Sequence, residues 1–305
     1  MENSMKNGIY AAQLVPYTDN GAIDEANLRR WIRHNIDTNG LDGLYIGGST
    51  GESFLCNAEQ RAKVLRLAAD EAKRKVSMIA QVGLLDYSEV LSLADVAADS
   101  GYDALSAVTP FYYNFSMDET LEYYRVLAKR TPLPVIVYVI PALTGKPFSI
   151  ADARRFLDIK GVAGIKFTTP DMYLLERMLV AFPDARIFNG YDELLLPATS
   201  VGATSAIGST YNVFGPIAKG ILTMAVKEEL VAARKLQNLL NEAISEIVPL
   251  GLYQSLKAIM EDQTGGSGLC KAPFAKQATP EIREKAVAIG RRVNKAASVL
   301  LGAKK

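Results

Sequence analysis

The sequence predicts an α/β chain folded as a (β/α)8 barrel with a C-terminal helical extension. Short apolar runs alternate with amphipathic helical patterns, and the alternation repeats through eight strand–helix units at intervals of about 25 residues. The competing topology, a doubly wound open sheet, lacks its Gly-rich dinucleotide fingerprint here.

The candidate strands are residues 9–16, 43–47, 77–82, 104–108, 135–140, 163–167, 186–188 and 203–207. Helix starts fall between them. Asn57-Ala58-Glu59-Gln60 and Ser116-Met117-Asp118-Glu119 read as capping boxes, and Asp24 and Ser149 as caps of two more helices. After the eighth strand the alternation stops. Helical patterns then cover 227–247, 252–262 and 280–301, with a loop near Gly265-Gly266-Ser267-Gly268. No low-complexity linker intervenes, so residues 1–225 are expected to form the barrel and 226–305 an extension packed on it as one rigid unit.

Composition narrows the chemistry. A chain of 305 residues can bury a large core. Its 34 basic and 33 acidic residues nearly cancel, and no stretch concentrates one sign, so nucleic acid and anionic membrane surfaces are not expected partners. Cys56 and Cys270 cannot build a disulfide framework, and neither has a metal-binding spacing. The first seven residues lack the apolar core of a signal peptide, and the longest apolar stretch, 133–143, is too short to span a bilayer. A cytoplasmic protein is the economical expectation. The single histidine, His34, follows Leu28, Trp31 and Ile32 at helical spacing and is expected at the surface. Multi-histidine zinc sites and histidine-based triads are therefore improbable, and no metal or organic cofactor is expected.

The remaining chemistry centres on Lys166, which ends the otherwise apolar run Gly161-Val162-Ala163-Gly164-Ile165-Lys166-Phe167. A lysine without water tends to lose its proton and become a nucleophilic amine able to form a Schiff base; the bland alternative is a strand-end lysine snorkelling to solvent. Strand alternation puts Val162, Gly164 and Lys166 on one face and Ala163, Ile165 and Phe167 on the other. The bulkier set suits the strand–helix interface, which turns Lys166 inward near the catalytic mouth, with Gly164 leaving space beneath it. In the preceding strand Tyr138 shares the inward face with Ile136 and Ile140, either as a satisfied core phenol or as a proton shuttle. Gly47-Gly48-Ser49-Thr50-Gly51-Glu52-Ser53 is either an ordinary tight turn or an anion site, without the lysine of a nucleotide loop. Asn189-Gly190-Tyr191-Asp192-Glu193 and Gly208-Ser209-Thr210 end the last two strands at the same mouth, where the two acids suit either a helix N-terminus or a polyol.

Taken in order, these motifs, with Thr109-Pro110-Phe111-Tyr112-Tyr113 and Tyr138-Val139-Ile140-Pro141-Ala142-Leu143-Thr144-Gly145, resemble the dihydrodipicolinate synthase/N-acetylneuraminate lyase family of Schiff-base aldolases over nearly the whole chain. The resemblance implies Lys166 as the Schiff-base lysine, Tyr138 as the acid/base, and Ser49 and Thr50 as the pair holding the pyruvate carboxylate. It further implies Thr168, Gly190, Asp192, Glu193 and Ser209 as contacts to a polyhydroxylated substrate. Tyr112 or Tyr113 is implied as a tyrosine reaching a neighbouring subunit's site in a homotetramer. The synthase branch carries an arginine after the strand-five proline, whereas this chain runs Pro141-Ala142-Leu143; with Asp192-Glu193, that favours sialic acid cleavage to N-acetylmannosamine and pyruvate. The alternatives are another pyruvate-dependent aldolase of the family, namely dihydrodipicolinate synthase or a 2-keto-3-deoxy sugar acid aldolase, and a non-catalytic sugar-acid-binding barrel. Val139 departs from the family's frequent asparagine, but strand parity points it away from the interior.

Overall fold

Eight parallel strands close into a barrel in sequence order: β1 (Gly8–Ala12), β2 (Gly43–Ile46), β3 (Ser77–Gln81), β4 (Ala104–Val108), β5 (Val135–Val139), β6 (Val162–Phe167), β7 (Arg186–Asn189) and β8 (Ser205–Gly208). The computed structural model describes residues 5–302, so the first four residues of the N-terminal segment and the last three of the extension lie outside the description. Around the strands run α1 (Glu25–Arg33), α2 (Ala58–Ala72), α3 (Tyr87–Asp99), α4 (Met117–Arg130), the short α5 (Pro141–Thr144), α6 (Ile150–Leu157), α7 (Met172–Ala181), α8 (Leu195–Ser200) and α9 (Tyr211–Val226). Three more helices follow: α10 (Leu230–Ile247), α11 (Leu252–Thr264) and α12 (Pro280–Leu300), with α10 against α9 and α12 against both α10 and α11. Among the described residues, no helix is long and apolar enough to cross a membrane.

Side-chain alternation divides the core in two. Ile9, Ala11, Leu44, Ile46, Leu105, Val135, Val137, Val139 and Ile187 face the helices. Tyr10, Ala12, Tyr45, Ile79, Ala104, Ile136, Phe188 and Ile207 fill the barrel interior, joined by Met5. Val139 lies on the helix side, as its parity requires.

Helix starts follow local chemistry. Asp24 and Ser149 cap α1 and α6, and Ser116 forms a reciprocal capping box with Glu119. Asn57 caps α2, but its box is half made: the Gln60 side chain donates to the Gly21 carbonyl instead of reaching back. The first strand ends at Ala12 instead of residue 16, because the Leu14 amide donates to the Asn212 side chain (3.2 Å). His34 is half-buried instead of exposed. It opens a widened π turn (His34–Thr38) that carries Asn35 into the core, and burial lowers its pKa.

The seam between β1 and β8 is fastened by side chains as well as by the ladder. Gly8 donates to Ser205 Oγ (3.2 Å), and Asn212 donates to the carbonyls of Ala12 (2.7 Å) and Ser209 (2.8 Å). Asn35 in turn donates to Asn212 Oδ1 (2.9 Å) and Gln13 Oε1 (3.0 Å).

In β6 the expected face assignment fails at one place. Val135 pairs with Val162 and Ile136 with Gly164, so Ala163 is an inserted bulge residue. Ala163 packs on the interior cluster and Val162 on the outer one, the reverse of simple alternation. Gly164 does not leave space: a Cβ there would collide with the Arg186 carbonyl, and its absence lets β6 and β7 approach. Beyond the bulge parity is restored. Ile165 and Phe167 face the helices, and Lys166 pairs with Tyr138 across β5 and β6.

Candidate active site

Lys166 lies at the C-terminal end of the barrel and is 5 % exposed. Its Nζ stands 3.9 Å from the Tyr138 ring centroid and 4.4 Å from that of Tyr45. Burial lowers its pKa to about 7, opposed by the charge of Asp192. An amine in that range is substantially neutral at physiological pH, which is what addition to a carbonyl requires. The lysine does not snorkel to solvent.

Tyr138 is 4 % exposed, and burial pushes its phenol up to about 12, opposed by the hydroxyls of Ser49 and Thr168. Tyr45 meets it edge-on (6.1 Å, 81°) and donates its own hydroxyl to Ser106 Oγ (3.0 Å). The ring is thus fixed while its oxygen faces two hydroxyls.

The turn after β2 is shaped by close approach. Gly47 has φ 80°, and a Cβ there would press on the Gln81 carbonyl at 2.9 Å; at Gly48 it would meet the Tyr45 ring at 2.8 Å. Two glycines therefore bring Ser49 and Thr50 down against the interior aromatics. Thr50 Oγ1 lies 2.7 Å from Ser209 Oγ, so the ends of β2 and β8 meet across the mouth.

Beside this contact stands the acidic turn after β7. Asp192 is 7 % exposed, and its Oδ2 accepts from the Thr210 amide (2.8 Å) and hydroxyl (2.6 Å). Burial nevertheless pushes its pKa up to about 7. Gln237 and Asn241 of α10 donate to the carbonyls of Asp192 and Glu193, each at 3.1 Å. At Gly190 a Cβ would collide with the Thr168 hydroxyl, which makes no hydrogen bond of ordinary geometry among the described residues. The turn thus presents acceptors and donors at fixed positions.

Nine of the sequence-predicted residues thus gather at one mouth: Lys166, Tyr138, Ser49, Thr50, Thr168, Gly190, Asp192, Glu193 and Ser209. Tyr112 and Tyr113 do not join them. They stand 83 % and 64 % exposed on the β4–α4 loop, with Tyr112 in left-handed backbone (φ 73°). Tyr45, Gln237 and Asn241 were not anticipated. Inward parity on β2 signals Tyr45, but nothing local marks the α10 amides. A cavity of about 290 Å³ opens beside Ser49, walled by Phe54, Phe111, Leu143, Tyr253 and Phe274. A larger groove, about 940 Å³, lies at the opposite end of the barrel beside Ser77, Asp103 and Gly161, away from Lys166. Among the described residues no group of three or more His, Cys, Asp or Glu side chains is placed to hold a metal ion.

Comparison with known proteins agrees with this geometry. Residues 5–291 match the model of the dihydrodipicolinate synthetase family. The chain is 45 % identical over 285 residues to an N-acetylneuraminate lyase of Clostridium perfringens, covering 93 % of this chain and 99 % of that protein. It superposes with TM-score 0.93 and 41 % identity on the crystal structure of CdNal from Clostridium difficile in complex with mannosamine, covering 95 % of this chain and all of that one. The N-acetylneuraminate lyase of Fusobacterium nucleatum complexed with pyruvate superposes with TM-score 0.89 and 42 % identity, over 94 % of this chain and 97 % of that one. The chain belongs to the dihydrodipicolinate synthetase family.

Proposed function

We propose that this chain is an N-acetylneuraminate lyase, a Schiff-base aldolase that reversibly cleaves N-acetylneuraminate to N-acetylmannosamine and pyruvate. The observation that carries the reading is the dry Lys166 amine 3.9 Å from the Tyr138 ring. Relatives bearing that activity at 42–45 % identity over most of the chain support it.

In this reading the neutral amine of Lys166 adds to the ketone of the open-chain sugar acid, and water leaves to give an iminium. Ser49 and Thr50 hold the carboxylate. Tyr138, protonated at neutral pH, acts as a relay that takes the C4 hydroxyl proton as it passes its own to the bound carboxylate, either directly or through the Thr50 hydroxyl, which hands its own proton on to that carboxylate. The C3–C4 bond breaks, its electron pair enters the iminium as an enamine, and N-acetylmannosamine departs. Protonation of the enamine and hydrolysis release pyruvate and restore the amine. Thr168, Gly190, Asp192, Glu193 and Ser209 hold the polyol. Leu143 stands where a substrate carboxylate would need a cation, which disfavours the synthase reaction.

Barrel (1–225) and extension (226–305) work here as one unit. We further infer a cytoplasmic homotetramer in which Tyr112 or Tyr113 reaches a neighbouring subunit's mouth. The exposure of both rings supports the assembly, and the free thiols of Cys56 and Cys270 suit a reducing compartment. Sedimentation reads the assembly directly.

Incubation with pyruvate and borohydride tests the chemistry. The expected result is a reduced pyruvate adduct on the Lys166 peptide, together with pyruvate release from N-acetylneuraminate. An unmodified lysine would remove the proposal.

A further inference from the structure

The residue that ends the Ser49-Thr50-Gly51 turn is energetically expensive. Glu52 adopts left-handed backbone (φ 56°), and its carboxylate is fully buried 2.6 Å from Lys257 Nζ of α11, itself 2 % exposed at the side chain. Burying two ions costs several kcal/mol each by general estimate, and an apolar pair of similar volume is often as stable. Stability alone is therefore a poor reason for this pair.

Its connections suggest another reason. Lys257 donates to the Leu269 carbonyl (2.7 Å), and the Lys271 amide donates to Glu52 Oε2 (2.5 Å). Leu269 exchanges two backbone hydrogen bonds with Tyr17 (3.0 and 3.1 Å). The Tyr17 hydroxyl then donates to the Gly51 carbonyl (2.7 Å), and its ring lies 4.9 Å from Lys257 Nζ. The circuit closes on the residue between Thr50 and Glu52. Every link on the far side comes from the extension or from the segment after β1.

We propose that the Glu52–Lys257 pair is a positioning device by which the C-terminal extension fixes the Ser49-Thr50 turn in the register that receives a substrate carboxylate. It rests on the reading of that turn as the carboxylate site. Neither residue touches substrate; both act through the turn. Loss of the pair weakens recognition of the carboxylate without altering the Lys166 amine.

The test compares two ketones on the full chain, trapping Lys166 with borohydride. One is pyruvate; the other is acetone, which has no carboxylate. The double variant Glu52→Gln/Lys257→Met removes both charges and leaves no orphaned ion. The pyruvate concentration for half-maximal trapping should rise about tenfold or more, while the acetone trapping rate stays within about twofold. Tyr17→Phe, which keeps the packing and removes the donor to Gly51 together with the hydroxyl's contact to Cys56 Sγ (3.1 Å), should shift pyruvate alone by a few-fold, and it carries the test if the double variant does not fold. Unchanged pyruvate half-saturation in a folded double variant, or in Tyr17→Phe, overturns the inference, as does an equal loss of both ketones. Absence of any pyruvate adduct in the unsubstituted chain is a different failure, that of the Schiff-base reading itself.

Discussion

The two ends of the barrel interior obey the same alternation but are filled with opposite materials. Toward the strand starts, Met5, Tyr10 and Ala104 belong to one apolar cluster, and the Tyr10 hydroxyl is satisfied by the Lys6 carbonyl (2.6 Å). Toward the strand ends, the same inward positions hold Lys166 and Tyr138 beside Ser49, Thr50 and Ser209. Burial penalises the charged forms of Lys166, Tyr138 and Asp192 there. One end stabilises the fold, and the other draws on that stability to hold groups in states they would not adopt in water.

The largest break in the comparison is Lys166→Met. It should lower pyruvate release from N-acetylneuraminate by on the order of 10⁴-fold or more, since no other group supplies the electron sink. Tyr138→Phe follows, with kcat down about 10²- to 10⁴-fold while pyruvate is still trapped on Lys166 by borohydride. At the other end, Met5→Ala should cost about 2–5 kcal/mol in denaturant unfolding and leave kcat of the folded fraction nearly unchanged. Equal loss of activity would show that the two ends are not separable. The smallest effect sharpens the contrast: Lys166→Met should raise Tm at neutral pH by roughly 2–4 °C for each kcal/mol recovered. The sign follows from linkage. The lysine's folded pKa, about 7, lies below its ordinary value of 10.5, so its burial penalty is complete below pH 7 and shrinks as pH rises toward 10.5. The gain from Lys166→Met should fall away over that window, which melting curves at pH 6, 8 and 10 would read.

Much of this was legible because the carriers were local. An apolar run ending in Lys166, a parity that turned Tyr138 inward, and small polar turns at the strand ends needed only the period of a strand. Failures came where backbone or side chains did something non-local. The bulge at Ala163 reversed the lower half of β6, and Asn212 drew the Leu14 amide away and ended β1 early. Gln60 found Gly21 instead of its own cap, and a π turn drew His34 partly inward. Gln237, Asn241 and Lys257 were invisible for the same reason. Each sits on an ordinary amphipathic helix, and only tertiary packing delivers its polar end to a mouth-forming turn.

The way β1 joins β8 has a consequence for biosynthesis. A ribosome releases the first strand long before the last exists, so a nascent chain stopped short of Gly208 carries two raw sheet edges where the finished molecule has none. The hydroxyl contact between Thr50 and Ser209 can form only after that closure. Substrate recognition is accordingly among the final acquisitions of the folding chain, and partly synthesised copies are sticky before they are active.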